Sequence, residues 1–274
     1  MTPGGPPGPS AAAATPVSER DIAALLFIAE MYAVQTDHLA VVLGVAEARA
    51  RAVAADWRRR GLAESARIGP GPPWVWLTRA GLAACGLPYT AAAPALSRLA
   101  HLRAVTAVRL ALAAVPSYAA ADAHWRSERR LRARTGGKLG LREHLPDAEV
   151  HWPEGGAEGT AGGHGAGHGG GHTDRRAAAW AGECWAVEAE LTRKTVTRTA
   201  AIMQEILART GDYGCPAAQA HVPGAPPRHT RALYLCSAAA QPTVTRARDS
   251  LGTLAARIEI RPLPPGWALR AAGQ

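Results

Sequence analysis

The chain has 274 residues, 47% of them hydrophobic, and a formal net charge of +9. That length supports one large domain or two small ones with real cores, and the excess of cations favours an anionic partner, nucleic acid before membrane. No apolar run approaches the roughly 18 to 20 uncharged residues of a membrane-spanning helix. The cysteines, Cys85, Cys184, Cys215 and Cys236, show neither C-x-x-C zinc spacing nor a secretory leader ahead of them, so the sequence predicts a reduced, soluble, cytoplasmic protein.

Residues 1–16 are Pro, Gly and Ala without periodicity and read as a disordered tail. From Ser18 the apolar residues Ile22, Leu25, Leu26, Ile28, Ala29 and Tyr32 recur at helical spacing as far as Gln35. A second, short helix runs from Thr36 and Asp37 to Gly44, a residue suited to a tight turn, and a third from Ala46 to Arg60 carries the inward stripe Ala46, Ala50, Val53 and Trp57. Two extended pieces follow, Leu62 to Ile68 and Trp74 to Leu77, around the breaker-rich turn over 69–73, and Thr78 is placed to cap one more helical turn. Three helices and a hairpin in this order predict a winged helix-turn-helix over 17–87. Arg51 and Arg58 of the third helix then face DNA bases, with Arg49, Arg60 and Arg67 nearer the phosphates.

Residues 88–116 read as a linker and a connecting helix, Ala95 to Val115, whose broad apolar face (Leu96, Leu99, Leu102, Val105, Val108, Leu110, Leu112) calls for burial. A basic helix is predicted from Ala119 to Arg134, with Glu128 as its lone acid between Arg126 and Arg132, and a short strand over Lys138 to Arg142. Beyond it the pattern is that of an α/β domain over 117–263, closed by a tail at 264–274. Its strands are Leu145 to Trp152, Trp185 to Glu190, Thr230 to Ser237 and Arg257 to Leu263. Its helices are Thr192 to Arg209 and Pro242 to Ala256, and a flexible Gly/His loop occupies about 153–176.

Two of these strands carry acids. Asp147 follows a proline at the start of the first, and a period of two puts Glu188 and Glu190 on one face of the second. Neighbouring carboxylates repel unless a cation lies between them or one takes a proton. The chain has only two lysines, Lys138 and Lys194, so a lysine just past the acidic strand stands out.

An acid at one strand start, a Glu-x-Glu on the next and a following lysine resemble the PD-D/E-x-K nuclease core. Together with the winged helix, the segments His101-Leu102-Arg103-Ala104-Val105, Trp125-Arg126-Ser127-Glu128, Pro146-Asp147 and Glu188-Ala189-Glu190 are similar to the replication-relaxation family of plasmids and conjugative elements. The resemblance implies an N-terminal winged helix followed by a restriction-endonuclease-like α/β core with a mixed central sheet. It also implies double-stranded DNA and other plasmid replication or transfer proteins as partners. For such a core, Asp147, Glu188 and Glu190, with Glu128, are the expected ligands of Mg²⁺ or Mn²⁺. Glu190 stands where the pattern has its lysine, and Lys194 is expected to reach back into that role. The alternative function is a non-catalytic accessory factor or winged-helix regulator on a degenerate nuclease fold.

Overall fold

The computed structural model describes residues 17–120, 123–135, 144–153, 180–211 and 227–268. Helix α1 (Glu19–Glu30) starts where the Ser18 side chain accepts the Asp21 N–H, and ends at Met31 because Tyr32 turns into the left-handed region at φ 64°. It is thus shorter than expected. The chain then becomes extended as β1 (Val34–Gln35), a two-residue strand too short to leave a periodic signal, which pairs antiparallel with Val75 and Trp74. Helix α2 (Thr36–Leu43) ends at Gly44, left-handed at φ 65° as its tight-turn role requires. Helix α3 (Glu47–Arg59) buries Ala50, Val53, Ala54 and Trp57, the predicted stripe with Ala54 in place of Ala46.

Strands β2 (Ala63–Ala66) and β3 (Trp74–Leu77) form the hairpin, so the first sheet has the order β1-β3-β2. Helix α4 (Arg79–Ala84) is capped by the Thr78 side chain. A Cβ at Gly81 would lie 1.9 Å from the Leu62 carbonyl oxygen, so only glycine lets this helix close on the hairpin.

The connecting helix, α5 (Leu99–Ala113), follows a short 3-10 turn at Leu96–Arg98. Leu96 is exposed, because it lies in that turn and not on the buried face. Inside α5, Arg103 is 1% exposed. Its guanidinium donates to both Asp37 carboxylate oxygens, at 2.7 and 3.1 Å, to the Gln35 side chain, and through Nε to the Ala268 carbonyl at 2.9 Å. One side chain therefore joins α5 to β1, α2 and the far end of the chain.

The predicted basic helix over 119–134 is broken in three. Helix α6 (Pro116–Ala120) and helix α7 (Glu128–Arg134) flank a strand, β4 (His124–Ser127). Arginine, alanine and glutamate favour helix, but Trp125 and Ser127 are buried in strand alternation, and Ser127 caps α7 by accepting the Arg130 N–H. Tertiary burial of Trp125 overrides local propensity here.

The second sheet contains β4, β5 (Ala148–His151), β6 (Cys184–Glu190), β7 (Arg231–Cys236) and β8 (Ile258–Pro262), in that spatial order. The first two pairings are antiparallel and the last two parallel. Helix α8 (Val196–Ala208) crosses between β6 and β7, and α9 (Gln241–Asp249) with a 3-10 turn at Gly252–Arg257 crosses between β7 and β8.

One sheet face, with Ala186, Ala232, Tyr234 and Cys236, packs on Met203, Ile206 and Val244 of these helices. The other, with Val150, Val187, Ala189 and Leu233, belongs to the same apolar cluster as Ala104 and Val108 of α5 and Leu25, Ile28 and Trp57 of the N-terminal helices. The two regions predicted as domains thus share one core. The molecule is mixed α and β, and no helix among the described residues is long and apolar enough to cross a membrane. Residues 1–16 and 269–274, the strand expected at 138–142, and the Gly/His segment beyond Pro153 lie outside the described residues.

Candidate functional site

Strand β5 runs antiparallel to β6, so Asp147, just ahead of β5, comes up beside the end of β6 that carries Glu188 and Glu190. One Asp147 oxygen accepts the Ala189 N–H at 2.8 Å, which pins the carboxylate to β6, and the other lies 2.9 Å from Nε2 of His101 on α5. Glu188 and Glu190 are each 4% exposed. Glu188 meets Nε2 of His144 at 2.7 Å, and Glu190 accepts from Lys194 Nζ at 2.5 Å.

The expected acids, Asp147, Glu188 and Glu190, and Lys194 are therefore brought together. Lys194 is not part of the following helix, as the sequence suggested. Thr195 caps that helix, its hydroxyl accepting the Arg198 N–H, so Arg193 and Lys194 precede it. Only Arg198 lies in the first turn.

Glu128 adjoins the cluster from the other side of Asp147. Its N–H donates to the Asp147 carbonyl at 2.9 Å, and its carboxylate is held by Arg98 at 2.8 Å and Arg132 at 2.6 Å. Glu128, Asp147, His101 and Arg98 line a small cavity of about 20 Å³, room for one water.

The electrostatics separate the two central carboxylates. Burial, then the Asp147 charge, pushes Glu188 up to about 7 despite the His144 contact. Burial also acts to raise Asp147, but the His101 charge and hydrogen bond and the Ala189 N–H outweigh it and hold Asp147 below the usual carboxylate range. Asp147 is the ionised member and Glu188 the one that keeps a proton near neutrality. His101 and His144 lose to burial but gain more from Asp147 and Glu188 respectively, so both are raised. The fully buried Tyr234 pairs in register with Glu188, and its hydroxyl has no hydrogen-bond partner among the described residues. Burial, then the charges of Glu188, Glu190 and Asp147, keeps that hydroxyl protonated.

These shifts fix what this cluster contributes to the pH dependence of stability without metal. Between the ordinary Glu188 value of 4.5 and its folded value of about 7, the folded chain holds a proton that the unfolded chain has lost. Stability therefore falls as pH rises through that window. His101 and His144 act in the same direction: their contribution is full below 6.5 and lost as pH climbs through their raised folded values. Asp147 opposes them only in acid, its contribution present above 3.8 and lost as pH falls through its lowered folded value. His38, which burial lowers to about 4, contributes in the opposite sense between that value and 6.5, so Glu188 is read by difference. In calorimetry in a chelator, Tm should fall more, or rise less, from about pH 5 to about pH 7 in the parent than in Glu188→Gln. Identical profiles for the two proteins would remove Glu188 from this role.

Sequence reasoning missed His144 and gave His101 no site role. A lone histidine before Leu-Pro-Asp carries no periodic signal, and His101 sits in a helix whose apolar face gives the dominant signal. The nearest signal was His101's place in the quoted segment with Arg103.

The predicted DNA-facing arginines lie apart from this cluster. Arg49, Arg51, Arg58 and Arg67 are exposed and Arg60 is half-buried. Arg51 pairs with Glu47 at 2.6 Å and Arg58 with Glu64 at 3.5 Å, while Arg60 approaches Asp56 at 3.9 Å. Comparison with protein-family profiles, with curated proteins and with solved structures finds no match for the chain.

Proposed function

We propose that the chain is a cytoplasmic DNA-binding protein of the replication-relaxation type, with α1 to α3 and the β2–β3 hairpin as a winged helix-turn-helix. The sheet β4-β5-β6-β7, with α5 and α8, is then a nuclease-like core for phosphodiester hydrolysis. Duplex DNA is its substrate, and plasmid replication or transfer proteins are its partners. The observation that carries this reading is the gathering of Asp147, Glu188 and Glu190 at one end of the β5–β6 pair, with Asp147 pinned to β6 by the Ala189 N–H.

The donor set is of the kind a hard divalent cation, Mg²⁺ or Mn²⁺, takes, carboxylate oxygens gathered at one end of two paired strands. Among the described residues no three of them converge within 4.8 Å, so holding an ion requires Asp147, Glu188 and Glu190 to turn from His101, His144 and Lys194. Asp147 and Glu188 would hold the ion, with Glu190 and Glu128 beside them. When bound, such an ion supplies charge stabilisation for the phosphate and an activated water. The chain's own part is electrostatic and positional. His101 fixes the Asp147 carboxylate from α5, and the Ala189 N–H fixes it from β6. Lys194, one-third exposed, is the cation at the rim nearest to an incoming phosphate, and it must leave Glu190 to meet one. His144 at Glu188 accepts or returns a proton at Nε2 as the carboxylate changes charge.

A second reading has its own support. Asp147, Glu188 and Glu190 each already face a basic side chain, in His101, His144 and Lys194. This is how a decayed site on a DNA-binding accessory factor would keep its carboxylates satisfied. Incubating the full chain with supercoiled and linear DNA, with and without Mg²⁺ or Mn²⁺, separates the two. Metal-dependent nicks or breaks are the expected result, and intact DNA over a range of metal concentrations selects the accessory factor.

The DNA-binding half has its own test. Arg51→Ala with Arg58→Ala should weaken duplex binding by about 1–3 kcal/mol for each arginine that reads a base. Affinity of the unaltered chain should fall steeply with salt as neutralised phosphates release counterions. Because Arg51 and Arg58 must exchange Glu47 and Glu64 for DNA, Glu47→Gln should tighten binding. Gel-shift titrations at two salt concentrations read all three effects, and a double variant that binds as tightly as the parent would clear α3 of any role.

A further inference from the structure

A second polar cluster lies at the opposite end of the β5–β6 pair, on the sheet face that also carries Glu188 and Glu190. In register, His151 is the partner of Cys184 and Glu149 the partner of Ala186. The side chains of Glu149, His151 and Cys184 therefore emerge side by side. His151 Nε2 is 2.9 Å from Glu149 Oε2 and 3.5 Å from Cys184 Sγ, and one donor atom from each residue lies within 4.8 Å of the others. Among the described residues this is the one group of three such ligands that converges so closely. We infer that Glu149, His151 and Cys184 form a binding site for a thiophilic divalent transition metal of the zinc type.

The chemistry of the donors selects that class. A sulfur, an imidazole nitrogen and a carboxylate oxygen match the ligand set of Zn²⁺ and Co²⁺, whereas Mg²⁺ and Ca²⁺ want oxygen throughout. Three protein ligands also leave a coordination position for water or another donor. Glu149 and Cys184 are buried and His151 is only half-buried, so an ion enters from the histidine side.

The carboxylate is already oriented by its surroundings. Arg228 grips both Glu149 oxygens, at 2.5 and 2.9 Å, and His229 approaches Oε1 at 2.8 Å with its other ring nitrogen 3.1 Å from the Ile206 carbonyl. Such outer contacts orient the first ligands of metal sites, while, against its burial, the hydrogen bonds to Glu149 and the Arg228 charge lower the basicity of this carboxylate. They also define the competing description, a hydrogen-bonded hub around Glu149 that needs no ion. On binding, the Cys184 proton passes to solvent and the thiolate takes the metal.

Titrating the reduced full-length chain with Co²⁺ distinguishes these descriptions, because a cobalt–thiolate bond gives a near-ultraviolet charge-transfer band that imidazole and carboxylate ligands do not. The expected result is one equivalent of Co²⁺ bound with that band, displaced by Zn²⁺ and absent from Cys184→Ser. Replacing His164, His168 and His172 together by Ala should leave the band in place, since those histidines can add only nitrogen ligands. His151→Ala should weaken Co²⁺ by at least about tenfold, and it gives a second answer if Cys184→Ser does not fold. No band in the parent, or one that survives Cys184→Ser, overturns the inference. Asp147→Asn should leave the band unchanged, so this result stands or falls separately from the acidic site.

Discussion

Replacing Asp147 by Asn is expected to abolish both metal-dependent DNA cleavage and the rise in Tm on adding Mg²⁺ or Mn²⁺. An ion that binds the folded chain alone stabilises it by about 2.7 kcal/mol at a hundredfold excess over its Kd. For a domain of this size that is roughly 2–4 °C per kcal/mol. Asp147 is the carboxylate that its surroundings keep ionised, so its loss removes the strongest ligand of the set. In the metal-free protein the two acids should respond oppositely. Asn at 147 forfeits the His101 pairing and destabilises, whereas Glu188→Gln relieves the charge that burial and Asp147 oppose, and stabilises above about pH 7. The relief comes from Glu188 and not from Asp147, because the Ala189 N–H and His101 both serve Asp147. Melting curves of the two variants in chelator and in metal check both signs, and a full metal response in Asp147→Asn would discard the assignment.

The second large effect lies away from the site. Arg103→Met leaves Asp37, a quarter exposed, without the guanidinium that holds both its oxygens, and removes the tie to Gln35 and Ala268. Breaking a buried ion pair from one side costs about 3–5 kcal/mol, and the partial exposure of Asp37 puts this case near 3 kcal/mol. Tm should fall by roughly 6–12 °C. Adding Asp37→Asn should recover part of that loss, since it removes the stranded charge. Thermal melts of the single and double variants test this, and a loss below about 1 kcal/mol would show that water replaces the guanidinium without cost.

What could be read from the sequence follows from how local each signal is. Trp74 to Leu77, Gly44 and the stripe Ala50, Val53, Trp57 are set by alternation, turn chemistry and helical spacing, and all three stand in the structure. Strand alternation likewise put Glu188 and Glu190 on one face, and the antiparallel partner brings Asp147 to them. Long-range burial was not legible. Nothing local reveals that Trp125 converts a helix-forming stretch into an edge strand, that two residues at Val34–Gln35 join a sheet, or that Arg103 is buried inside an apolar helix. The same applies to His101, His144 and the contacts of Glu149. Apart from the Glu149–His151 contact, each acts through a partner at least 44 residues away, as His144 does with Glu188, so no spacing rule connects them.

Whether the acids at the end of β6 hold a hard cation is decided most directly by counting Mn²⁺ bound to the metal-free chain through loss of the free-ion paramagnetic resonance signal. One ion per chain is predicted, bound in Cys184→Ser as in the parent, displaced by excess Mg²⁺ and lost in Asp147→Asn. A signal undiminished at millimolar Mn²⁺, or an ion retained by Asp147→Asn, would contradict it and leave the sheet as a scaffold for DNA or protein binding alone.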